Sequence, residues 1–190
     1  MDVVVTREPG GTGLGEQIRD LLLHGDASRR DPIADAALFN AARRQLVSEV
    51  VRPALERGAW VVCDRFADST LAYQGYGAGV PLDVLQQLAD AATGGLSPDR
   101  TLLLDLPPEA GLARRASGPS SDLTRFELAE RHDLDYHRRV RDGYLRLAAG
   151  EPDRWRVVDA SRPPAEVAEA AWEALADLVP QTPRETTREG

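Results

Sequence analysis

Residues 59–77, "AWVVCDRFADSTLAYQGYG", join a predicted strand to a predicted polar helix, and they indicate the fold class. Residues 59–64 are apolar and rich in valine until Asp64, which is typical of a buried parallel strand. Arg65 follows at once, and the spacing over 67–75 predicts a helix. Because ligands of open α/β sheets bind beyond the carboxyl ends of the strands, Asp64 and Arg65 mark a candidate ligand site.

Three other segments share this strand pattern: "DVVVT" (2–6), "RTLLLDL" (100–106) and "RWRVVDA" (154–160). Amphipathic helical patterns separate the four strands, and one of them, 35–58, ends at glycine. This alternation predicts an α/β layered fold with a mostly parallel sheet. We expect one domain over residues 1–178 and a flexible tail over 179–190.

The composition is that of a globular protein, with 42% hydrophobic and 28% charged residues. No apolar run approaches the roughly 18 residues of a membrane-spanning helix, and no signal peptide is evident, so a cytoplasmic location is expected. A net charge of −8 argues against a nucleic-acid partner. All 23 basic residues are arginines, which excludes lysine chemistry, and Cys63 is expected in the core without a disulfide.

The polar residues after Arg65 form a candidate recognition surface. Helical spacing predicts that Thr70, Tyr73 and Gln74 share one face, where an amide can read a base edge. Arg65 itself offers a planar fork that can clamp a phosphate. A polar helix face exposed to solvent and a structural ion pair at Arg65 are the alternatives.

A second candidate lies on the long helix. Phe39 and Arg43 stand one turn apart, so a base stacked on Phe39 would bring its phosphate near Arg43. A core phenylalanine beside a surface arginine is the commoner explanation of such a pair. The turn "TREPGGTG" (6–13) carries Glu8 and Pro9 at a strand end, but it lacks the spacing and the lysine of a phosphate loop.

Four motifs together resemble the bacterial thymidylate kinases in order and spacing: "TREPGGT", "LFNAARRQ", "DRFADSTLAYQG" and "GYLRLA". The resemblance extends from residue 4 to about 175. It implies a three-layer, P-loop-kinase-like fold in which helices flank a parallel sheet. It also implies transfer of a phosphoryl group from ATP to dTMP, with Mg²⁺, to give dTDP for nucleotide biosynthesis. Homodimers are typical of this family.

The resemblance assigns the dTMP site. Phe39 would stack on thymine, with Thr70 and Gln74 at the edge of the base. Arg43 and Arg65 would hold the acceptor phosphate, and an added 2′-hydroxyl would be crowded. The full set implied for dTMP is Glu8, Pro9, Arg19, Phe39, Arg43, Arg65, Thr70, Tyr73 and Gln74.

The resemblance also implies an ATP site and a catalytic set. Asp64 would orient Arg65 or hold a water bound to magnesium. A lid over about 115–127 would contribute Arg125, next to Thr124 where the family often has aspartate. The residues implied for ATP are Arg114, Arg125, Asp159, Ala160 and Ser161, and the catalytic ones are Asp64, Arg65 and Arg125.

One departure from the family concerns the sheet. In the family a first, central strand and a phosphate loop precede "TREPGGT", so we expect a sheet without that strand, and a start at an internal methionine. The structure should then show a gap or a rearranged sheet. Two other functions stay open: a nucleoside-monophosphate-binding protein without turnover, and a deoxynucleoside kinase, which two pocket arginines disfavour. The sequence leaves the choice between dTMP and dUMP open.

Overall fold

The computed structural model describes residues 1–24, 30–116 and 134–179. The first half of the chain contains β1 (Val3–Arg7), α1 (Gly13–His24), α2 (Pro32–Leu46), a π-helical turn (Val47–Val51), α3 (Arg52–Glu56) and β2 (Trp60–Asp64). The second half contains α4 (Ala67–Thr70), a π-helical segment (Leu71–Gly77), α5 (Leu82–Thr93), β3 (Thr101–Asp105), α6 (Pro108–Ala116), α7 (Leu134–Gly150), β4 (Trp155–Asp159) and α8 (Pro164–Glu173).

Local signals account for the ends of several helices. The carboxylate of Asp31 accepts a hydrogen bond from the Ile33 amide at 2.8 Å, and Pro32 occupies the first position of α2. Helix α5 ends at Gly94, whose φ of 61° lies in the left-handed region that glycine tolerates. The four predicted strands are confirmed to within one residue at each end.

The four strands form two separate parallel pairs. Strand β1 pairs with β2, with Arg7 opposite Asp64, and β3 pairs with β4, with Asp105 opposite Asp159. Within the described residues no backbone ladder joins the two pairs. Parallel sheets are usually covered on both faces, yet Val5 on β1 is 76% exposed.

The packing of α7 on the π-helical segment 71–77 positions one side of the candidate site. A Cβ atom at Gly77 would lie 2.8 Å from the Tyr136 ring and from Val140, so only glycine allows this approach. Ala72, Tyr136 and Val140 form the buried cluster at this contact. On the other side, α2 packs against α1 and α5.

Two predicted segments extend beyond the described residues. The lid prediction (115–127), including Thr124 and Arg125, falls outside them from residue 117, and the predicted tail from residue 180. In the part of the chain that is described, no helix is both long enough and apolar enough to cross a membrane.

Candidate active site

Arg65 occupies a strained position at the end of β2. Its φ is 67°, in the left-handed region that residues other than glycine rarely adopt. Such a conformation costs about 1–3 kcal/mol and is concentrated at functional sites. The guanidinium lies 4.8 Å from the centre of the Tyr73 ring. Asp64 and Arg65 are both exposed at this strand end, as the sequence predicts.

Arg43 is the centre of a buried polar cluster formed by Glu8, Asn40, Arg43 and Thr70. Arg43 is only 1% exposed. Its Nε donates to Glu8 Oε2 at 2.8 Å, and its Nη1 donates to Asn40 Oδ1 at 2.6 Å. Its Nη2 donates to Thr70 Oγ1 at 3.1 Å and to the Phe66 carbonyl at 3.3 Å. The cluster therefore ties α2 to the ends of β1 and β2.

These four bonds leave one Nη1 hydrogen of Arg43 without a hydrogen bond to a described residue, because a guanidinium has five N–H donors. Sequence reasoning selected Arg43, Glu8 and Thr70 but missed Asn40. The signal was available, since Asn40 lies three residues before Arg43 on the same helix face.

Glu8 is a buried carboxyl group with one satisfied oxygen. It is 5% exposed, and Oε1 has no hydrogen-bond partner among the described residues. Burial raises the pKa of Glu8 to about 7, although the neighbouring Arg43 acts in the opposite direction. Oε1 is therefore available to accept a hydrogen bond from a bound hydroxyl group. Burial also raises the pKa of the neighbouring Cys63 thiol, to about 12, which makes it a poor nucleophile.

The side chains expected to hold a base lie beside this cluster. Phe39 is half-buried and packs against Ile18, Leu22 and Ala42. Gln74 is 3% exposed, and its amide makes no hydrogen bond to another described residue. With one donor and one acceptor, this amide is a candidate to read the edge of a base.

The π-helical geometry of 71–77 changes one expectation. Thr70 bonds to Arg43 on α2, whereas the Tyr73 ring packs near Tyr136 and Tyr144 of α7, with centroids 6.5 and 6.2 Å away. The prediction that Thr70 and Tyr73 share one face of a regular α-helix is therefore wrong. The wider π turn rotates the later side chain away from the earlier one.

The glycine turn after β1 is held by hydrogen bonds to two residues of α1, Glu16 and Arg19. Arg19 donates to the Pro9 carbonyl at 2.9 Å, which brings these two predicted residues together. Glu16 accepts from the Gly11 amide at 2.8 Å and from Arg7 at 3.0 Å. Sequence reasoning missed Glu16, although its place in the first turn of α1 suits a carboxylate.

A second group, the exposed loop group, consists of Arg114, Asp159, Ala160 and Ser161. Arg114 on α6 donates to the carbonyl oxygens of Ala160 and Ser161 at 2.8 and 3.2 Å. The Asp159 carboxylate accepts from the hydroxyl and the amide of Ser161 at 2.6 and 2.9 Å, and these bonds lower the pKa of Asp159. The four residues expected near one base are thus neighbours in space.

A cavity of about 330 Å³ lies among β3, α6, α7 and the segment that follows β2. Arg65 and Tyr73 line one side, and Asp105 and Arg141 line the other. Arg141 donates twice to Asp105, at 2.7 and 2.8 Å. Among the described residues, no three carboxylate, histidine or cysteine side chains converge on a point. Magnesium needs no such cluster, because it often binds through one carboxylate, waters and substrate phosphates, and the exposed Asp64 fits that role.

Comparisons with known proteins identify the family. The family model described as "Thymidylate kinase" matches residues 1–171. The thymidylate kinase of Thermomicrobium roseum is 51% identical over 177 residues, covering 93% of this chain and 81% of that protein. The thymidylate kinase of Deinococcus radiodurans is 50% identical over 175 residues, covering 92% and 82% respectively.

A solved structure agrees with these relatives. The crystal structure of thymidylate kinase from Ehrlichia chaffeensis superposes with a TM-score of 0.71 at 32% identity, covering 92% of this chain and 80% of that one. The resemblance seen in the sequence motifs and the predicted fold class are both confirmed. The chain belongs to the thymidylate kinase family.

Proposed function

We propose that this chain phosphorylates dTMP to dTDP with ATP in the cleft between its two strand pairs. The observation that carries the proposal is the buried polar cluster beside Gln74 and Arg65. It offers one unpaired guanidinium hydrogen, one unpaired carboxylate oxygen and one unpaired amide within the described residues. These are complementary to a phosphate, a sugar hydroxyl and a base edge.

On the acceptor side, Phe39 stacks on thymine while Gln74 and Thr70 contact its edge. The hydroxyl of Thr70 accepts from Arg43, so its own hydrogen remains to donate to a carbonyl of the base. Arg65 and the remaining Nη1 hydrogen of Arg43 hold the acceptor phosphate. The residues that line the deoxyribose side of this proposed site are Glu8, Pro9, Arg19 and Tyr73.

On the donor side, the exposed loop group binds the adenine of ATP, with Arg114 against the ring. Phosphoryl transfer requires in-line positioning and positive charge around the transferred oxygens more than covalent help. Arg65 supplies this charge from the strand end, and Arg125, which lies outside the described residues, supplies it from the lid. Asp64 would hold a magnesium ion through water, and the ion would neutralise charge on the phosphates.

We infer that the enzyme is a cytoplasmic homodimer. The support is the apolar exposure on two helices, with Ile33 at the start of α2 48% exposed and Leu82 at the start of α5 40% exposed. Sedimentation velocity over a range of protein concentrations tests the dimer, and a monomer at micromolar concentration would contradict it.

A coupled assay of ADP release, combined with calorimetry, tests the function. We expect ADP release that depends on dTMP, and no release with thymidine in its place, because two arginines require a phosphate. Binding of dTMP without ADP release would favour a binding protein without turnover. Preference for thymidine would favour a deoxynucleoside kinase.

The same calorimetry tests the acceptor site. Loss of a stacking ring costs roughly 1–3 kcal/mol per base, so Phe39→Ala should weaken dTMP binding by about tenfold or more while ATP binding changes little. Equal weakening of both nucleotides would contradict the stacking role.

A further inference from the structure

Side chains, in place of a backbone ladder, connect α4 to the strand pair β3–β4. Asp68 on α4 accepts two hydrogen bonds from Arg154, whose Nη1 and Nη2 lie 2.8 and 2.9 Å from its two oxygens. Arg154 stands immediately before β4. Because the described strands β1–β2 and β3–β4 share no hydrogen bonds, this two-pronged contact is a direct link between the acceptor side and the second strand pair.

Hydrogen bonds hold the guanidinium of Arg154 on all sides. Besides Asp68, it donates to Thr101 Oγ1 at 2.9 Å and to the two carboxylate oxygens of Glu151 at 2.9 and 2.8 Å. These five bonds use all five of its N–H donors. Its charged group also lies 5.1 Å from the centre of the Trp155 ring. Arg154 thus joins the first residue of β3, the turn before β4 and α4 in one rigid unit.

Burial protects the contact between Arg154 and Asp68 from screening by water. The side chains of Arg154 and Asp68 are 14% and 12% exposed, so water screens the pair only weakly. A second contact runs parallel to it, since Tyr144 on α7 donates to Ser69 Oγ at 2.8 Å and its ring meets Trp155 at 6.4 Å. Two adjacent residues of α4 are therefore anchored to the second half of the molecule.

The place of Asp68 in the chain connects this anchor to the chemistry. Asp68 lies on the short helix α4, three residues after Arg65 and two before Thr70, the last residue of that helix. The exposed loop group lies at the far end of β4. Any rotation of β3–β4 about α4 therefore changes the distance between the acceptor and donor groups.

We propose that Asp68 and Arg154 form a positioning pair that sets the strand pair β3–β4 relative to α4, and so aligns donor and acceptor for transfer. The expected effect on catalysis rests on the proposed function. The expected effect on the position of β3–β4 holds whether or not the chain is a kinase. Neither residue touches the nucleotides; they act through Arg65, Thr70 and the exposed loop group.

A matched control is available in the Arg30–Asp35 pair. Asp35 accepts from Arg30 Nε at 2.7 Å, and the two side chains are 14% and 7% exposed, close to the values of the Arg154–Asp68 pair. Both partners lie on the β1–β2 side, at the start of α2. Asp35→Asn therefore removes a comparable buried charge without releasing β3–β4.

The first test measures geometry without nucleotide. Spin labels on cysteines introduced at the exposed positions Arg57 and Glu169, in a Cys63→Ala background, report the distance between the two halves by double electron–electron resonance. We expect Asp68→Asn and Arg154→Met to broaden or shift the distance distribution, and Asp35→Asn to leave it unchanged. Distributions that are identical in all variants would overturn the proposal, whether or not the chain is active.

The second test separates positioning from general stability. With folding verified by circular dichroism, Asp68→Asn should lower kcat by about tenfold to 100-fold, because misplacement by about 1 Å is enough for such a loss. The calorimetric Kd values for dTMP and ATP should each stay within about threefold of wild type. Asp68→Glu, which keeps the charge, should recover part of the loss.

Two outcomes of the second test would overturn the proposal. One is a kcat of Asp68→Asn equal to that of Asp35→Asn. The other is a loss that falls entirely on nucleotide Kd. A wild-type chain without dTMP-dependent turnover would contradict the proposed function instead, and the distance measurement would still decide whether the pair positions the two halves.

Discussion

The carboxyl end of β1–β2 and the carboxyl end of β3–β4 use the same residue types in opposite ways. At the first, Arg43 and Glu8 are buried and joined by a 2.8 Å hydrogen bond. At the second, Arg114 and Asp159 are exposed and bind backbone groups of one short loop. The first arrangement is ordered before any nucleotide binds, whereas the second is shaped by local turns that water can reach.

The difference in burial predicts how much stability is lost when one partner of each network is removed. A buried charged network is strongly coupled, because removing one partner leaves the other without water or a counter-charge. An exposed network loses little when one contact is removed, because water replaces it. We therefore expect selectivity for the acceptor to come from the β1–β2 side, and changes on the β3–β4 side to be tolerated better.

The largest expected effect is on the free energy of unfolding of Arg43→Met. Above the folded pKa of Glu8, about 7, loss of the guanidinium leaves a buried carboxylate unpaired, which should cost about 3–5 kcal/mol. Urea denaturation followed by circular dichroism measures it. Arg44→Met is the control, because Arg44 is adjacent and exposed. Equal losses of unfolding free energy in Arg43→Met and Arg44→Met would contradict the claim that the buried network at the end of β1–β2 is strongly coupled.

The second prediction concerns kcat of Arg65→Lys. Lysine keeps the charge but loses the planar fork, so we expect kcat to fall by roughly 100- to 1,000-fold, as for loss of a transition-state donor. Arg57→Lys, at an exposed ion pair with Asp2, should be near wild type in the same ADP assay. Turnover of Arg65→Lys near the wild-type value would make Arg65 a structural residue.

The third prediction concerns the pH dependence of stability. The pKa of Glu8 is raised to about 7 in the folded state, so folded Glu8 keeps its proton where unfolded Glu8 loses it. Wild-type stability should therefore fall, on the order of 3 kcal/mol relative to Glu8→Gln, as the pH rises from the ordinary glutamate value toward about 7.

Glu16, in the same turn, should change stability with pH in the opposite direction. The Gly11 amide, with Arg7, lowers the pKa of Glu16, so its contribution is present above the ordinary glutamate pKa and is lost as the pH falls. Urea midpoints of wild type, Glu8→Gln and Glu16→Gln between about pH 3 and 8 measure both. A pH profile of Glu8→Gln parallel to that of wild type would show that folding does not raise the pKa of Glu8.

The smallest expected effect belongs to Arg114→Ala. Its bonds to the Ala160 and Ser161 carbonyls are exposed, so we expect a loss of stability below about 1 kcal/mol. The Kd for ATP should rise while the Kd for dTMP stays unchanged. Arg138→Ala, at an exposed pair with Glu109 on the same side of the molecule, is the control. Destabilisation as large as that of Arg43→Met would contradict the comparison.

Local patterns carried much of the prediction. Apolar runs located all four strands, because a short uninterrupted apolar run is typical of a strand in a parallel sheet. The strand ends pointed to Asp64 and Arg65, and helical spacing paired Phe39 with Arg43. Spacing was misleading where the helix after Thr70 widens into π geometry, in a segment that packs closely against Tyr136 and Val140.

The sequence by itself determined the α/β class, the positions of the strands and the residue types at their carboxyl ends, because these depend on periodicity over a few residues. Only the tertiary structure decided that Arg43 is buried against Glu8, that the strands form two pairs, and that Arg154 meets Asp68 across 86 positions of the chain. Burial, pKa and ion pairing depend on which distant segments exclude water from a side chain, and that information is absent from any short window of sequence.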